Sequence, residues 1–188
     1  MQSSRSAASS SEPATKGRIT ATAVDAGDGN TTHHVRNYAR KWAHRHVIAT
    51  KGQAVQGKPI LGRPTEQDIT HRGKTMRGAV KLWPLGSDTA KAVLYARYKI
   101  SAPGPGYVHL PQGLPDTEYA EMTAEKVVTR YVKGFARREW TKQPSARNEG
   151  LDCYVMALAA AHHAGVTRCD PACAVGGFDA VARGEVDR

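Results

Sequence analysis

Residues 18–29 read RITATAVDAGDG, and this stretch decides what kind of fold the chain can adopt. Its first seven residues alternate and are rich in Ile, Thr and Val, which predicts a β-strand. The strand ends at Asp25, and the glycines that follow allow the backbone to turn sharply. Apolar residues then recur at helical spacing, which predicts a helix over residues 32–45. A strand, a tight turn and a helix in this order indicate an α/β layered domain.

The same alternation of strands and helices continues toward the C-terminus. Further strands are predicted at 46–50, at 79–85 and around Trp140, and further helices at 88–98 and 148–165. Residues 52–78 are polar with scattered glycine and proline, which predicts a long loop. Residues 116–133 are predicted to contain one or two helical stretches.

The two ends of the chain differ in composition from this middle part. Residues 1–17 hold six serines and almost nothing apolar, which predicts a disordered leader. Residues 166–188 show little periodicity and are interpreted as a C-terminal tail. The predicted domain therefore spans residues 18–165.

Composition narrows the classes of function. The 188 residues include 27 Lys and Arg against 17 Asp and Glu, giving a net charge of +10, which favours a polyanionic partner such as nucleic acid. Three cysteines, an odd number, argue against a disulfide framework and favour a reducing compartment. No apolar run of about 18 residues and no signal peptide is found, so we expect no membrane contact.

Acidic residues at two places suggest a metal site. Asp25 follows a predicted strand, while Glu149 and Asp152 lie three residues apart in the first turn of the last helix, so they share a face. Carboxylate oxygens are the ligands that Mg²⁺ and Mn²⁺ prefer. The alternative is that Asp25 shapes a turn and the helix acids serve as caps.

A zinc site is the weaker hypothesis. Cys153, Cys169 and Cys173 could combine with His162 and His163. The Cys-x₃-Cys spacing is loose, however, and the two histidines are adjacent, which is not typical of a zinc site.

Four blocks of sequence, in order, resemble one protein family. The blocks are VDAG at 24–27 with Thr31 and Thr32, KG at 51–52 with GKP at 57–59, GSDTAK at 86–91 leading into GPGYVHLP at 104–111, and MTAE at 122–125 with Trp140 and RNEGLDC at 147–153. They resemble the nuclease domain of the phage terminase large subunit, in the branch typified by phage lambda. The last block is the most specific, although the family usually has Ala where this chain has Gly150.

This resemblance implies an RNase H-like nuclease fold that uses Mg²⁺ or Mn²⁺ to cut concatemeric viral DNA during packaging. Asp25 matches the acid after the family's central strand, and Glu149 and Asp152 match the acids on its last helix. We therefore expect these three residues to bind metal and to be catalytic. Lys51 matches a basic position beside the site, where it could steady a phosphate.

The resemblance also implies partners and a location. Double-stranded DNA, the terminase small subunit and the portal of the procapsid are expected partners, in the cytoplasm of the bacterial host. Basic residues in the predicted long loop are expected to contact the DNA backbone, although a merely solvated loop is almost as good an interpretation. These residues are Lys58, Arg63, Arg72, Lys74 and Arg77.

The chain also departs from the family's pattern. The family has a first catalytic aspartate on an earlier strand and an ATPase motor before that, whereas no Asp and no GxxxxGK[ST] motif precedes Asp25 here. The nuclease fold is therefore expected to be partial, with the first strands and the ATPase domain missing. A catalytically inactive prophage remnant or a DNA-binding fragment of the same protein is the alternative. A Holliday-junction resolvase or transposase would share the metal chemistry but would not explain the blocks at 104–111 and 147–153.

Overall fold

The computed structural model describes residues 19–71 and 73–166, without the side chains of His71 and Lys74. The predicted leader, the tail beyond Val166, Arg72, Cys169 and Cys173 lie outside the described residues.

The helices and strands are β1 (Thr22–Asp25), α1 (Thr32–Lys41), a 3₁₀ turn (Ala43–Arg45), β2 (Val47–Gln53), β3 (Thr65–His71), β4 (Lys74–Gly86), α2 (Ser87–Arg97), α3 (Asp116–Met122), β5 (Glu125–Val132), β6 (Phe135–Lys142) and α4 (Glu149–His163). The predicted α/β class is confirmed. None of the helices in the described part of the chain is long and apolar enough to cross a bilayer.

Four strands form the main sheet in the order β1-β2-β4-β3. The pairs β1–β2 and β2–β4 are parallel, and β3 runs antiparallel to β4. Because parallel strands end at the same edge of a sheet, Asp25 at the end of β1 lies beside the C-terminal half of β2. This is the edge at which open α/β sheets usually bind their ligands.

Helix α1 covers one face of the sheet. Ala39 is buried among Ala49 of β2 and Val80 and Leu82 of β4, in a cluster that also includes Ile69 of β3. The predicted helix over 32–45 is thus confirmed up to Lys41, after which the chain tightens into the 3₁₀ turn. His46, with φ of 56°, then turns the chain into β2.

Helix α4 covers the opposite face. The register aligns Asp25 with Thr50 and Thr50 with Trp83, so these three residues lie on the same face of the sheet. The Trp83 ring meets the His163 ring of α4 at a centroid distance of 5.0 Å, which identifies this face as the one under α4. A second core joins α4 to α2 and the end of β4; it comprises Leu85, Ala90, Leu94, Leu151, Val155, Leu158 and Ala159.

The prediction of one long loop over residues 52–78 is wrong, because β3 and the first part of β4 lie within it. Among the β3 side chains that the structure describes, those of residues 65–70, only Ile69 is buried in the core, at 2% exposed. β3 is an edge strand with its partner on one side only, so it carries few apolar residues and lacks the pattern of a buried strand.

The prediction of helical stretches over residues 116–133 is wrong in its second half. Helix α3 ends at Met122, and residues 125–132 form β5, which pairs antiparallel with β6 in a separate two-stranded sheet. The β-branched and aromatic residues of β5, Val-Val-Thr at 127–129 and Tyr-Val at 131–132, favour a strand. Its pairing with β6 closes through Lys133 and Gly134, which have φ of 50° and 82°.

Candidate carboxylate site

Asp25 and Asp152 approach each other from β1 and α4. The strand register places Asp25 on the face that α4 covers, and Asp152 lies in the first turn of α4. The charge on Asp25 is close enough to raise the pKa of Asp152. A hydrogen bond from the Gly27 N–H to Asp25 Oδ1, 2.9 Å long, fixes one side of the Asp25 carboxylate. Two of the predicted site residues are thus brought together by the fold.

Burial of its carboxyl is the main cause that raises the pKa of Asp152. Lys91 opposes this effect, while Glu125, Asp25 and Glu149 add to it through charge repulsion. No cation in the described part of the chain lies within salt-bridge distance of Asp25 or Asp152. The site therefore concentrates negative charge that its own side chains only partly neutralise.

A partly buried network that the sequence does not predict supports Asp152. Asn148 donates to Asp152 Oδ2 at 3.3 Å and to Glu125 Oε1 at 2.8 Å. Glu125, with 7% of its side chain exposed, accepts from Lys91 Nζ at 2.8 and 2.9 Å. The hydroxyl of Tyr95 donates to the Glu125 carbonyl and accepts from its N–H. Glu125 is part of the MTAE block at 122–125, but the helix wrongly predicted over residues 116–133 concealed that Glu125 begins a strand.

Glu149 shares the first turn of α4 with Asp152, but its carboxylate has a different partner. Arg147 Nε lies 3.2 Å from Glu149 Oε2 and 3.3 Å from Glu121 Oε1. A hydrogen bond from its own backbone N–H and the contact with Arg147 lower the pKa of Glu149. The side chain is largely exposed, so this pairing is weak and can exchange for another partner.

Lys51 lies at the same edge of the sheet as Asp25 but on the other face. It follows Thr50 in β2 and is aligned with Pro84, and successive side chains of a strand point to opposite faces. Lys51 is exposed, as are Lys58, Arg63 and Arg77, while Lys74 begins β4 and only its backbone is described. The structure therefore does not bring Lys51 to the carboxylate pair by strand geometry.

The donor set fits a hard divalent cation. Among the described residues no group of three or more His, Cys, Asp and Glu side chains is placed to hold a metal ion. Mg²⁺, however, keeps several waters and is commonly bound through one or two carboxylates. Asp25 and Asp152 supply two such carboxylates on facing elements.

The three zinc candidates that the structure describes lie at opposite ends of α4. Cys153 is the fifth residue of the helix, whereas His162 and His163 are in its last turn. At 1.5 Å per residue, Cys153 and His162 are separated by about 13 Å along the helix axis. These residues therefore cannot bind one zinc ion together.

Neutralising Asp152 should stabilise the metal-free protein at neutral pH. Because the folded-state pKa of Asp152 is raised, folding favours its protonated form, and the stability that this form provides is lost as pH rises through the folded pKa. We expect Asp152→Asn to raise the free energy of unfolding at pH 7 in EDTA, by less than about 1 kcal/mol given solvent screening. Urea denaturation should show this gain shrinking as pH falls through the raised folded-state pKa, and no gain should remain below the ordinary pKa of an aspartate.

Glu149→Gln is the matched control for this prediction. Its pKa is lowered in the folded state, so its charge contributes stability above the ordinary pKa of a glutamate. The same neutralisation should therefore not stabilise the protein at pH 7. Equal gains from both variants would contradict the assignment of strain to Asp152.

The chain is similar in sequence to proteins of one known family. The family model described as "Terminase large subunit gpA, endonuclease domain" matches residues 5–171. The terminase large subunit of Escherichia phage lambda is 38% identical over 122 residues, which cover 61% of this chain and 18% of that protein. The terminase large subunit of Enterobacteria phage P21 is 36% identical over 123 residues, with the same coverage. The chain thus spans less than a fifth of these relatives, and no solved structure matches it.

Proposed function

Because the chain belongs to the endonuclease domain family of the phage terminase large subunit gpA, we propose that it cuts double-stranded DNA with a divalent cation bound by Asp25 and Asp152. The observation that carries this proposal is the approach of these two carboxylates from β1 and α4, where their charges are not paired with described cations. Negative charges placed this close together lower the stability of the folded protein, and such an arrangement is typical of a site that binds a metal ion.

The chain's own residues have distinct tasks in this proposal. Asp25 is oriented by the Gly27 N–H, and Asp152 by Asn148, which is itself held by Glu125. Glu149 can complete the ligand set if its exposed contact with Arg147 opens. When bound, Mg²⁺ or Mn²⁺ supplies Lewis-acid activation and charge neutralisation at a phosphodiester. Lys51 is assigned to a DNA phosphate outside the cation's ligand set.

The architecture and the biological role are part of the same proposal. Three parallel strands, an antiparallel edge strand and helices on both faces support an RNase H-like domain. Within that family the domain would cut concatemeric viral DNA during packaging, together with the terminase small subunit and the portal, in the bacterial cytoplasm. Exposed Lys58 and Arg63, together with Arg72 and Lys74, are proposed to contact the DNA backbone.

Nicking of supercoiled plasmid tests the proposal. The chain is incubated with plasmid in Mn²⁺, in Mg²⁺ and in EDTA, and conversion to open-circular and linear DNA is followed on gels. We expect cleavage that requires a divalent cation and that Asp25→Asn reduces at least about 100-fold, because a catalytic metal ion contributes several kcal/mol and each 1.4 kcal/mol is tenfold in rate. Asp28→Asn, in the same turn, should cleave like the wild type.

Calorimetric titration of the same proteins with Mn²⁺ provides a readout that does not depend on turnover. The wild type should bind the cation and Asp25→Asn should not. DNA binding without cation binding or cleavage would overturn the endonuclease and would favour the alternative of a non-catalytic DNA-binding fragment.

A further inference from the structure

The hairpin formed by β5 and β6, residues 125–142 and here called the basic hairpin, leaves the body of the domain. Its base is anchored, because Glu125 is buried and the Trp140 ring packs on the Tyr95 ring at 4.9 Å. Its outer half is not anchored, because every residue from Thr129 to Arg138 is exposed. About four residues of each strand extend beyond the base, or roughly 13 Å of ribbon.

The basic hairpin is strongly cationic. Its cations are Lys126, Arg130, Lys133, Arg137, Arg138 and Lys142, and its acids are Glu125 and Glu139. Glu125 is already neutralised by Lys91, and the half-buried Glu139 lies 3.6 Å from Arg130. The outer half itself contains no acid. Its field is therefore positive and suits a polyanion.

Apolar side chains lie at the tip among these cations. Tyr131 and Phe135 are 77% and 78% exposed, and Val132 is also exposed. Lysines and arginines on a free strand edge can serve simply to prevent pairing with other chains. Exposed Tyr, Val and Phe at the end of the same ribbon would instead favour association with other chains. The composition of the tip is better explained by a partner that offers both charge and apolar surface.

The register separates the two faces of the ribbon. Val127 and Trp140 are aligned and belong to the face that packs on the domain. Arg130 is aligned with Arg137, and Val132 with Phe135, and both pairs lie on the other face. The free face therefore presents an arginine pair followed by an apolar pair toward the tip.

We propose that the basic hairpin inserts into a groove of double-stranded DNA, with Arg130 and Arg137 on the phosphates and Phe135 against the base edges. The major groove, about 12 Å wide and 8.5 Å deep, admits a two-stranded ribbon of this kind. Arginine contacts with phosphate and apolar contacts with bases are the two chemistries that duplex DNA offers there. This inference rests on the proposed function, because it takes DNA as the substrate of the carboxylate site.

The basic hairpin is also connected to the carboxylate site. Glu125, its first residue, accepts a hydrogen bond from Asn148, which in turn donates to Asp152. The residue at the base of the hairpin therefore belongs to the network that positions Asp152. A duplex bound by the hairpin would lie at a fixed distance from the carboxylate site at which it is cleaved.

Fluorescence anisotropy with a labelled 20-base-pair duplex in EDTA measures this binding without cleavage. We expect Arg130→Ser/Arg137→Ser to weaken binding about tenfold and to reduce the slope of log K against log salt by about 2, since each lost phosphate contact reduces it by about 1. Arg40→Ser/Lys99→Ser, which removes one exposed cation from α1 and one just after α2, is the matched control and should retain most of the affinity and most of the salt slope.

A separate variant tests the apolar contact at the tip. Phe135→Ser should weaken binding several-fold with an unchanged salt slope, because it removes an apolar contact and no charge. These residues are exposed, so thermal unfolding should be unaltered in all three variants. Loss of affinity with a lowered melting temperature would instead indicate a damaged fold and would contradict the proposal.

The two proposals fail separately. Wild-type affinity and slope in Arg130→Ser/Arg137→Ser would overturn the hairpin's role while leaving cation-dependent nicking intact. Nicking that survives Asp25→Asn would overturn the carboxylate site, whatever the anisotropy shows. Stronger binding of the wild type to single-stranded DNA of equal length would overturn the assignment to a duplex groove.

Discussion

Asp152→Ala is expected to lower the rate of divalent-cation-dependent DNA cleavage at least about 100-fold while leaving the protein folded. The carboxylate is one of two, on β1 and α4, whose charges are close enough to interact, and its loss removes a proposed cation ligand. A metal ion contributes several kcal/mol to stabilising charge at a phosphodiester, and each 1.4 kcal/mol corresponds to tenfold in rate. Single-turnover cleavage of plasmid in Mn²⁺ is the measurement.

The stability of the variant separates a catalytic from a structural role. Because desolvation strains the ionised Asp152 carboxyl, its removal should not lower the free energy of unfolding in EDTA. Added Mn²⁺ should raise the melting temperature of the wild type and not that of the variant, since a ligand that binds only the folded state stabilises it. Cleavage by Asp152→Ala at the wild-type rate would exclude this residue from the site.

Lys91→Met is expected to destabilise the fold by about 3–5 kcal/mol, because it leaves Glu125 as a buried charge without its cation. The two side chains are 13% and 7% exposed, and Lys91 Nζ reaches both carboxylate oxygens. Asn148 and the Tyr95 hydroxyl would remain near Glu125, but they offer hydrogen bonds and no positive charge. Urea denaturation at pH 7 measures the loss.

Two controls sharpen this prediction. Lys99→Met, at an exposed lysine just after α2, should change stability by no more than about 0.5 kcal/mol. The double variant Lys91→Met/Glu125→Gln should recover much of the loss, because it removes both charges of a buried pair. A loss below about 1 kcal/mol in the single variant would show that water screens the pair and that it does not anchor the basic hairpin.

The sequence predicted those parts of the fold that have a strong local signal. β1, α1, α2 and α4 were found from alternation or from helical spacing, and α4 was found almost to the residue because its apolar stripe is continuous. β3 and β5 were missed for one reason. A strand at an edge or in a two-stranded ribbon obtains its stability from a partner that lies elsewhere in the chain, so its own residues need not show a buried pattern.

For the site, local signals identified individual residues but could not establish their neighbours. Asp25 and Asp152 are recognisable because one follows a strand and the other begins a helix. Glu125, Lys91 and Asn148 were not recognised as a unit, since they are brought together from β5, α2 and the residue before α4. The opposite orientation of Lys51 follows from strand register, which no single stretch of sequence reveals.

The sequence alone determined the family and the acids available for chemistry, because both depend on the order of residue types along the chain. Tertiary structure decided which acids meet. It placed Asp25 and Asp152 on one face of the sheet and buried Glu125 against Lys91. It also left the outer half of the basic hairpin exposed. The physical reason is that side-chain charge acts through space, and distances through space are set by strand register and helix packing.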